Sequence, residues 1–175
     1  RSSSLHCLEL NNVQIISGNE FDEERGLIAP AATRMTMIEC AEGTTVMLRQ
    51  VKFYNLKMLT YTDLSVTYYH SLIDTHLATL VMQNCHFENI TLPNAPLLHV
   101  NVAPGEFGME MPNTVDIPTL EACNLFRSIT REEGNGAVFN LGLAKSAAST
   151  DEELYLPITY AYFTECRAPL GNGTQ

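Results

Sequence analysis

The sequence predicts an all-β protein, a parallel β-helix (solenoid) of about four to five coils. Two observations predict this fold: an apolar pattern recurs five times, and stretches of variable length that are largely polar separate the apolar segments. A recurrence every few tens of residues is typical of repeat proteins, in which each unit buries its apolar face against its neighbours. The alternative is a jelly-roll β-sandwich, in which the recurrence would be coincidental.

The repeat has the form apolar-x-apolar-x-x-[Val/Cys]-x-apolar. Its reference column contains Val13, Val51, Cys85, Cys123 and Cys166, with steps of 38, 34, 38 and 43 residues. Two places after the first four members stand Ile15, Phe53, Phe87 and Leu125. The five members of the column are preceded by the pairs Leu8 and Leu10, Val46 and Leu48, Leu80 and Met82, Pro118 and Leu120, and Ala161 and Phe163, in which Pro118 alone is not apolar in the strict sense. We therefore expect these residues to stack in columns inside the solenoid.

Each unit contains a corner at the same place. The first apolar pair alternates as in a half-buried strand, and the apolar phase then jumps by three residues to the reference column. A jump at a constant place indicates a bend between two short strands. Asn12, Gln50 and Asn84 directly precede the column in the first three units. Their amides are expected to stack as a hydrogen-bonded ladder.

A second apolar strand is predicted in each of the first four units, at 26–29, 71–74, 96–100 and 136–141. One segment also fits a helix, because Asp116 and Pro118 resemble a helix start and Gly134 a helix end. On that helix Leu120, Cys123, Phe126 and Ile129 share one face. The five-fold register favours a strand for this segment.

Three short motifs give the pattern a family resemblance. Residues 85–89 (Cys-His-Phe-Glu-Asn), 53–55 (Phe-Tyr-Asn) and 134–138 (Gly-Asn-Gly-Ala-Val) resemble the Phe-x-x-Asn and Gly-Gly-Ala-Ile repeats of chlamydial polymorphic outer-membrane proteins. In this chain the Asn follows the Phe by two places instead of three. The resemblance implies a right-handed parallel β-helix of the pectin-lyase-like class and a position at a cell surface.

Composition and charge exclude several partners. The 175 residues carry a net charge of −10, and Arg and Lys are thinly scattered. Nucleic acids and anionic membranes need clustered positive charge, so neither is an expected partner. No apolar run approaches the roughly 18 residues that span a bilayer, so no membrane span is expected.

The expected location is extracellular or at the cell surface. Two N-glycosylation sequons begin at Asn89 and Asn172, which are the glycosylation candidates. The chain starts at Arg1, and its last residues interrupt the fifth unit, so residues 1–175 are expected to form a single β-helix segment of a longer chain. Three of the five cysteines share a column with valines, which favours small buried side chains; disulfides between stacked units are the alternative.

No catalytic, metal-binding or cofactor-binding motif is present. The chain lacks a nucleophile elbow, a phosphate loop and a dinucleotide fingerprint, and its five histidines share no spacing. Its acidic runs lack the alternating ligands of a calcium loop. We therefore expect no catalytic residues, no metal and no cofactor.

The sequence predicts a non-enzymatic structural or adhesive protein that forms part of a surface assembly, fibre or appendage. Its partners would be other subunits, or further coils of the same chain, added at the open ends of the β-helix. The alternative is a β-helix that binds or cleaves polysaccharide, as a lyase or glycosidase does. Tyrosines cluster in the second unit, where they are expected to pack over the long insertion between its two strands. The alternative is a solvent-exposed face that binds sugars or proteins, so glycans are a further candidate partner. Those tyrosines are Tyr54, Tyr61, Tyr68 and Tyr69.

Overall fold

The computed structural model describes residues 7–16, 21–22, 27–28, 31–33, 36–63, 66–68, 70–102, 107–110, 123–143 and 161–170. The chain is all-β, and no helix occurs in these residues. In chain order the strands are β1 (Cys7–Asn11), β2 (Gln14–Ile16), β3 (Phe21–Asp22), β4 (Leu27–Ile28), β5 (Ala31–Thr33), β6 (Ile38–Cys40), β7 (Thr45–Arg49), β8 (Lys52–Met58), β9 (Tyr61–Asp63), β10 (Val66–Tyr68), β11 (Ile73–His76), β12 (Thr79–Gln83), β13 (His86–Leu92), β14 (Leu98–Val102), β15 (Phe107–Glu110), β16 (Asn124–Arg131), β17 (Phe139–Leu143) and β18 (Ala161–Thr164).

Three parallel sheets contain most of these strands. The first sheet has the order β1-β7-β12-β15, the second β2-β8-β13-β16-β18 with β5 also paired to β8, and the third β6-β11-β14-β17. The chain visits the sheets in turn, and each return adds a strand beside the earlier one. The parallel pairing contradicts the jelly-roll alternative, whose strands pair antiparallel. It is compatible with the predicted parallel β-helix.

Two corners with left-handed backbone recur along the chain. Asn12, Gln50 and Asn84, with φ of 53–54°, separate the strands of the first sheet from those of the second. A second corner lies within the second sheet, at Asn55, Asn89, Ser128 and Glu165, with φ of 53–56°. These are left-handed conformations, which Asn tolerates better than most residues. The predicted amide ladder is not formed among these described residues: no hydrogen bond joins the side-chain amides of Asn12, Gln50 and Asn84, and the buried side-chain oxygen of Asn84 has no hydrogen-bond partner.

Inward-facing residues form continuous columns in the first three coils. Parallel pairing aligns Leu8 with Val46 and Leu80, Leu10 with Leu48 and Met82, and Ile15 with Phe53 and Phe87. In the second and third coils these side chains are buried. The columns therefore form the core between the sheets.

The fourth unit differs from the predicted register by one residue. Leu125 pairs with His86, and Phe126 pairs with Phe87, so Leu125 is not in the predicted column. Cys123 consequently lies one place before the level of Cys85. Asn124 occupies that level, where its side-chain oxygen accepts a hydrogen bond of 2.9 Å from the Cys85 backbone N–H.

The fifth unit differs by five residues. Phe163 pairs with Phe126, and Arg167 bridges to Thr130, so Cys166 lies level with Ile129 at the second corner. Both corners have the same pattern, in which the inward residues lie two places before and one place after the left-handed residue. An alignment by pattern alone therefore placed Cys166 at the wrong corner.

Hairpins interrupt the first two coils. Residues 27–28 do not form the predicted second strand of the first unit, because β4 pairs antiparallel with β3 in an excursion between β2 and β5. The strand of the third sheet in this coil is β6. In the next coil β9 and β10 form another antiparallel hairpin. The helical alternative is wrong for residues 124–131, which form β16.

Four phenylalanines stack along the second sheet. The ring centroids of Phe53 and Phe87 are 4.9 Å apart, and Phe126 follows at 5.0 Å and Phe163 at a further 5.0 Å. Adjacent ring planes differ by at most 7°. The spacing matches the ~4.8 Å between paired strands. The second to fifth units thus contribute one ring each to this part of the core, and Ile15 occupies the same level in the first unit.

Candidate functional site

The outer face of the third sheet carries a row of polar residues. Glu39, Asp74, His99 and Asn140 lie opposite one another on consecutive strands. They point outward because their neighbours along each strand, such as Ile73 and Thr75, point into the core. Asp74 Oδ1 lies 3.2 Å from His99 Nδ1, and both side chains are about two-fifths exposed (39% and 43%). The row therefore combines two carboxylates, an imidazole and an amide on one accessible face.

The carboxylates of this row affect the pKa of a buried thiol. Burial raises the pKa of the Cys40 thiol, and the charges of Asp74 and Glu39 raise it further.

The carboxylates and the imidazole of this row can bind hydroxyl groups and exchange protons with them. The sequence pattern did not predict the Glu39–Asp74 pair, because the register of these two residues depends on the hairpins. No group of three or more potential metal ligands occurs in the described residues.

The outer face of the second sheet carries a separate ion pair. Arg127 Nη1 lies 3.2 Å from Glu88 Oε2 on the neighbouring strand. The Nδ1 atom of the buried His86 lies 3.9 Å from the other oxygen of Glu88. The carboxylate is thus already shared between two basic side chains, which makes this face a weaker candidate for ligand binding than the third sheet.

The second corner forms a line of exposed polar side chains. Asn89 Nδ2 donates a hydrogen bond of 2.6 Å to Asn55 Oδ1, and Ser128 Oγ donates one of 2.6 Å to Glu165 Oε2. Asn89, one of the two glycosylation candidates, is therefore at the surface. Asn172 lies outside the described residues.

Among the described residues, strand β18 is the last strand of the second sheet, and its side chains from Tyr162 to Thr164 are exposed. Phe163 is 47% exposed, whereas Phe53, Phe87 and Phe126 in the same column are fully buried. Tyr162 on the outer face is 51% exposed. The end of the phenylalanine stack thus forms an apolar surface beside an edge strand.

All five cysteines are free thiols. Cys85 and Cys166 each follow a left-handed residue and donate from Sγ to a carbonyl of the preceding coil, Leu48 O at 3.2 Å and Phe126 O at 3.4 Å. Burial raises the pKa of the Cys85 thiol from an ordinary 9.0 to about 11. This thiol is therefore a small core side chain, since a nucleophilic cysteine needs a lowered pKa.

Comparisons with protein-family models, with curated proteins and with solved structures found no match. The described part of the chain contains no helix with the length and apolar character required to cross a membrane.

Proposed function

We propose that this chain is part of a parallel β-helix of the pectin-lyase-like class, with a non-enzymatic structural or adhesive role outside the cell. The chain passes through three parallel sheets in a constant order, which supports this fold. We further propose that it assembles with other subunits, or with further coils of its own chain, through its open ends.

The exposed end of the phenylalanine stack carries the proposal. Phe87 and Phe126 have a stacked ring on both sides, whereas Phe163 stacks on Phe126 alone, meets Phe139 at its edge and remains 47% exposed. Covering an apolar surface of this kind is favourable. The unpaired side of β18 can in addition accept a further strand. A surface with these two properties fits continuation along the axis of the solenoid.

The test measures association and native mass. Association is measured by sedimentation velocity at ~0.15 M salt, because the salt screens the repulsion between copies with a net charge of −10. We expect either self-association or a native polypeptide that exceeds 19.4 kDa after glycan removal. If the chain self-associates, Phe163→Asp abolishes it, whereas Tyr162→Asp, on the outer face of the same strand, does not. A native chain of 19.4 kDa that remains monomeric contradicts the proposal.

The row on the third sheet favours a second candidate, a β-helix that binds or cleaves polysaccharide. Hydrolysis of a glycosidic bond uses two carboxylates, and Glu39 and Asp74 are a carboxylate pair on one face. The test is a screen of polysaccharides for bound material, new reducing ends and unsaturated products. Glu39→Gln and Asp74→Asn abolish such activity, while Glu88→Gln on the second sheet is the control. Activity that survives both substitutions contradicts this candidate.

A further inference from the structure

We infer that Asn89 carries an N-linked glycan, and that the glycan is attached before β13 pairs with its neighbours. The inference rests on the proposed extracellular location. It goes beyond the sequon itself, because the structure shows where the acceptor amide lies and what surrounds it.

The position of Asn89 suits a bulky substituent. The residue has φ of 53° at the second corner, where its exposed side chain points away from the core columns. Its neighbours along the axis are the short side chains of Asn55 and Ser128. A glycan at this place extends sideways from the solenoid and leaves both ends open. It is therefore compatible with assembly along the axis.

One of the two hydrogens on the acceptor nitrogen is not used in the hydrogen bond to Asn55. Asn89 Nδ2 carries two hydrogens, and its bond to Asn55 Oδ1 uses one of them. In the transfer step Nδ2 forms a bond to C1 of the sugar and loses one proton. The bond from C1 to the phosphate oxygen of a lipid pyrophosphate-linked oligosaccharide breaks, and the lipid pyrophosphate leaves. The product retains one N–H, which is the number that the bond to Asn55 needs.

The timing follows from the position of the sequon within the sheet. Glu88, Ile90 and Thr91 pair with β8 on one side and with β16 on the other. Ile90 is fully buried. A transferase must hold the sequon in its own active site, and this requires the central strand β13 to leave the sheet. The unfolded chain is therefore the substrate.

The first experiment directs the full chain through the secretory pathway of a eukaryotic host with a cleavable leader. Tandem mass spectrometry after enzymatic glycan removal, which converts the carrier Asn to Asp, identifies the site. We expect modification of Asn89 in the wild type and in Thr91→Ser, and its loss in Asn89→Gln. Thr91→Val, which keeps the shape of the side chain but removes the hydroxyl, also loses it. An unmodified Asn89 in a sample whose Asn172 is modified overturns the inference.

The second experiment tests the timing. Unmodified full chain is incubated with oligosaccharyltransferase and its lipid-linked donor. We expect no transfer to the folded wild type and efficient transfer to Phe87→Asp, in which a charge in the buried stack unfolds the chain. Equal transfer to both proteins overturns the proposed order of events. A glycan present after host secretion but absent from the native protein supports the site and contradicts the extracellular location, so the two failures are distinguishable.

Discussion

Phe126, and not its neighbour Leu125, lies over Phe87: their ring centroids are 5.0 Å apart and their planes differ by 1°. Phe126 also stacks on Phe163 on its other side and meets the edge of Phe139 at 5.5 Å. It therefore connects the second and third sheets at the level where the exposed end begins.

Replacing Phe126 by Ala is expected to lower the free energy of unfolding by about 3–5 kcal/mol, because the change leaves a cavity in the stack. Phe163→Ala is the matched control, and its cost is below about 2 kcal/mol because that ring is half exposed. Urea unfolding of both variants checks the difference. Equal losses would show that the end of the stack is covered as well as its middle.

The register error shows what the pattern was able to predict. The sequence was sufficient to align the first three coils, where the recurring corner follows the first sheet. It failed at Leu125, because the polar Asn124 occupies the level of Cys85 and the apolar residues of the fourth unit are displaced by one place. It failed at Cys166, because the second corner has the same apolar spacing and the same left-handed backbone as the first. Two corners with one local pattern cannot be told apart without knowing which strand pairs with which.

The candidate site on the third sheet could not be predicted from the sequence, for a related reason. Glu39 and Asp74 become neighbours only because the excursions around β3–β4 and β9–β10 leave the main path and return to it. Because the two excursions differ in length, Glu39 and Asp74 lie at different distances along the chain from the reference column of their own unit, and the repeat pattern does not align them. Asn89 is exposed although it lies two residues after the inward-facing Phe87, because its left-handed backbone interrupts the strand alternation at the second corner.

Thr75 is expected to weaken the core. Its hydroxyl is fully buried and has no hydrogen-bond partner, so the folded state loses the hydration of this group without replacement. Thr75→Val keeps the shape of the side chain and is expected to stabilise the protein by about 1 kcal/mol. Thermal or urea unfolding measures the change.

Thr44→Val is the control for this prediction, with the opposite sign. The Thr44 hydroxyl donates a hydrogen bond of 2.7 Å to Ala41 O, so its removal costs about 1 kcal/mol. Destabilisation by both substitutions would mean that the Thr75 hydroxyl has a partner in solution.

Arg131 holds the turn that contains the Gly-Asn-Gly motif. Its guanidinium donates to the backbone carbonyls of Glu133 at 2.8 Å, Gly136 at 3.1 Å and Asn94 at 3.1 Å, and also to Asn135 O. Lysine lacks the planar fork that reaches several acceptors at once. Arg131→Lys is therefore expected to cost about 2 kcal/mol in urea unfolding.

The control for Arg131→Lys is Arg127→Lys. The Arg127 side chain is 43% exposed and forms a hydrogen bond with Glu88 alone. The expected cost of Arg127→Lys is below about 1 kcal/mol. If the two variants unfold at the same urea concentration, the cluster of carbonyl contacts does not stabilise the turn.

Alanine substitutions at Gly134 and Gly43 distinguish the cost of backbone strain from that of steric conflict. Both have positive φ, +92° and +75°, so alanine at either position costs about 1–2 kcal/mol. A Cβ on Gly43 meets nothing within 4 Å, whereas one on Gly134 conflicts with the guanidinium of Arg131. Gly134→Ala should therefore lower the melting temperature more than Gly43→Ala. The reverse order would contradict the position of Arg131.

The Cys85 thiol gives the protein a specific sensitivity to alkaline pH. Burial raises its pKa in the folded state from 9.0 to about 11, so the folded state retains a proton that the unfolded state releases. The associated stability is complete below pH ~9 and is lost as the pH rises through ~11, with a total of roughly 2–3 kcal/mol. The measurement is urea unfolding of the wild type and of Cys85→Val at several values between pH ~8 and ~11.

Valine is the appropriate replacement because Val51 occupies the same position one coil earlier. The variant should match the wild type within about 1 kcal/mol at pH ~8. Its stability should then fall less steeply with pH. The thiols of Cys40, Cys123 and Cys166, whose pKa values burial also raises, are present in both proteins and cancel in the comparison. Parallel pH profiles for the two proteins would mean that the thiolate of Cys85 is solvated in the folded state.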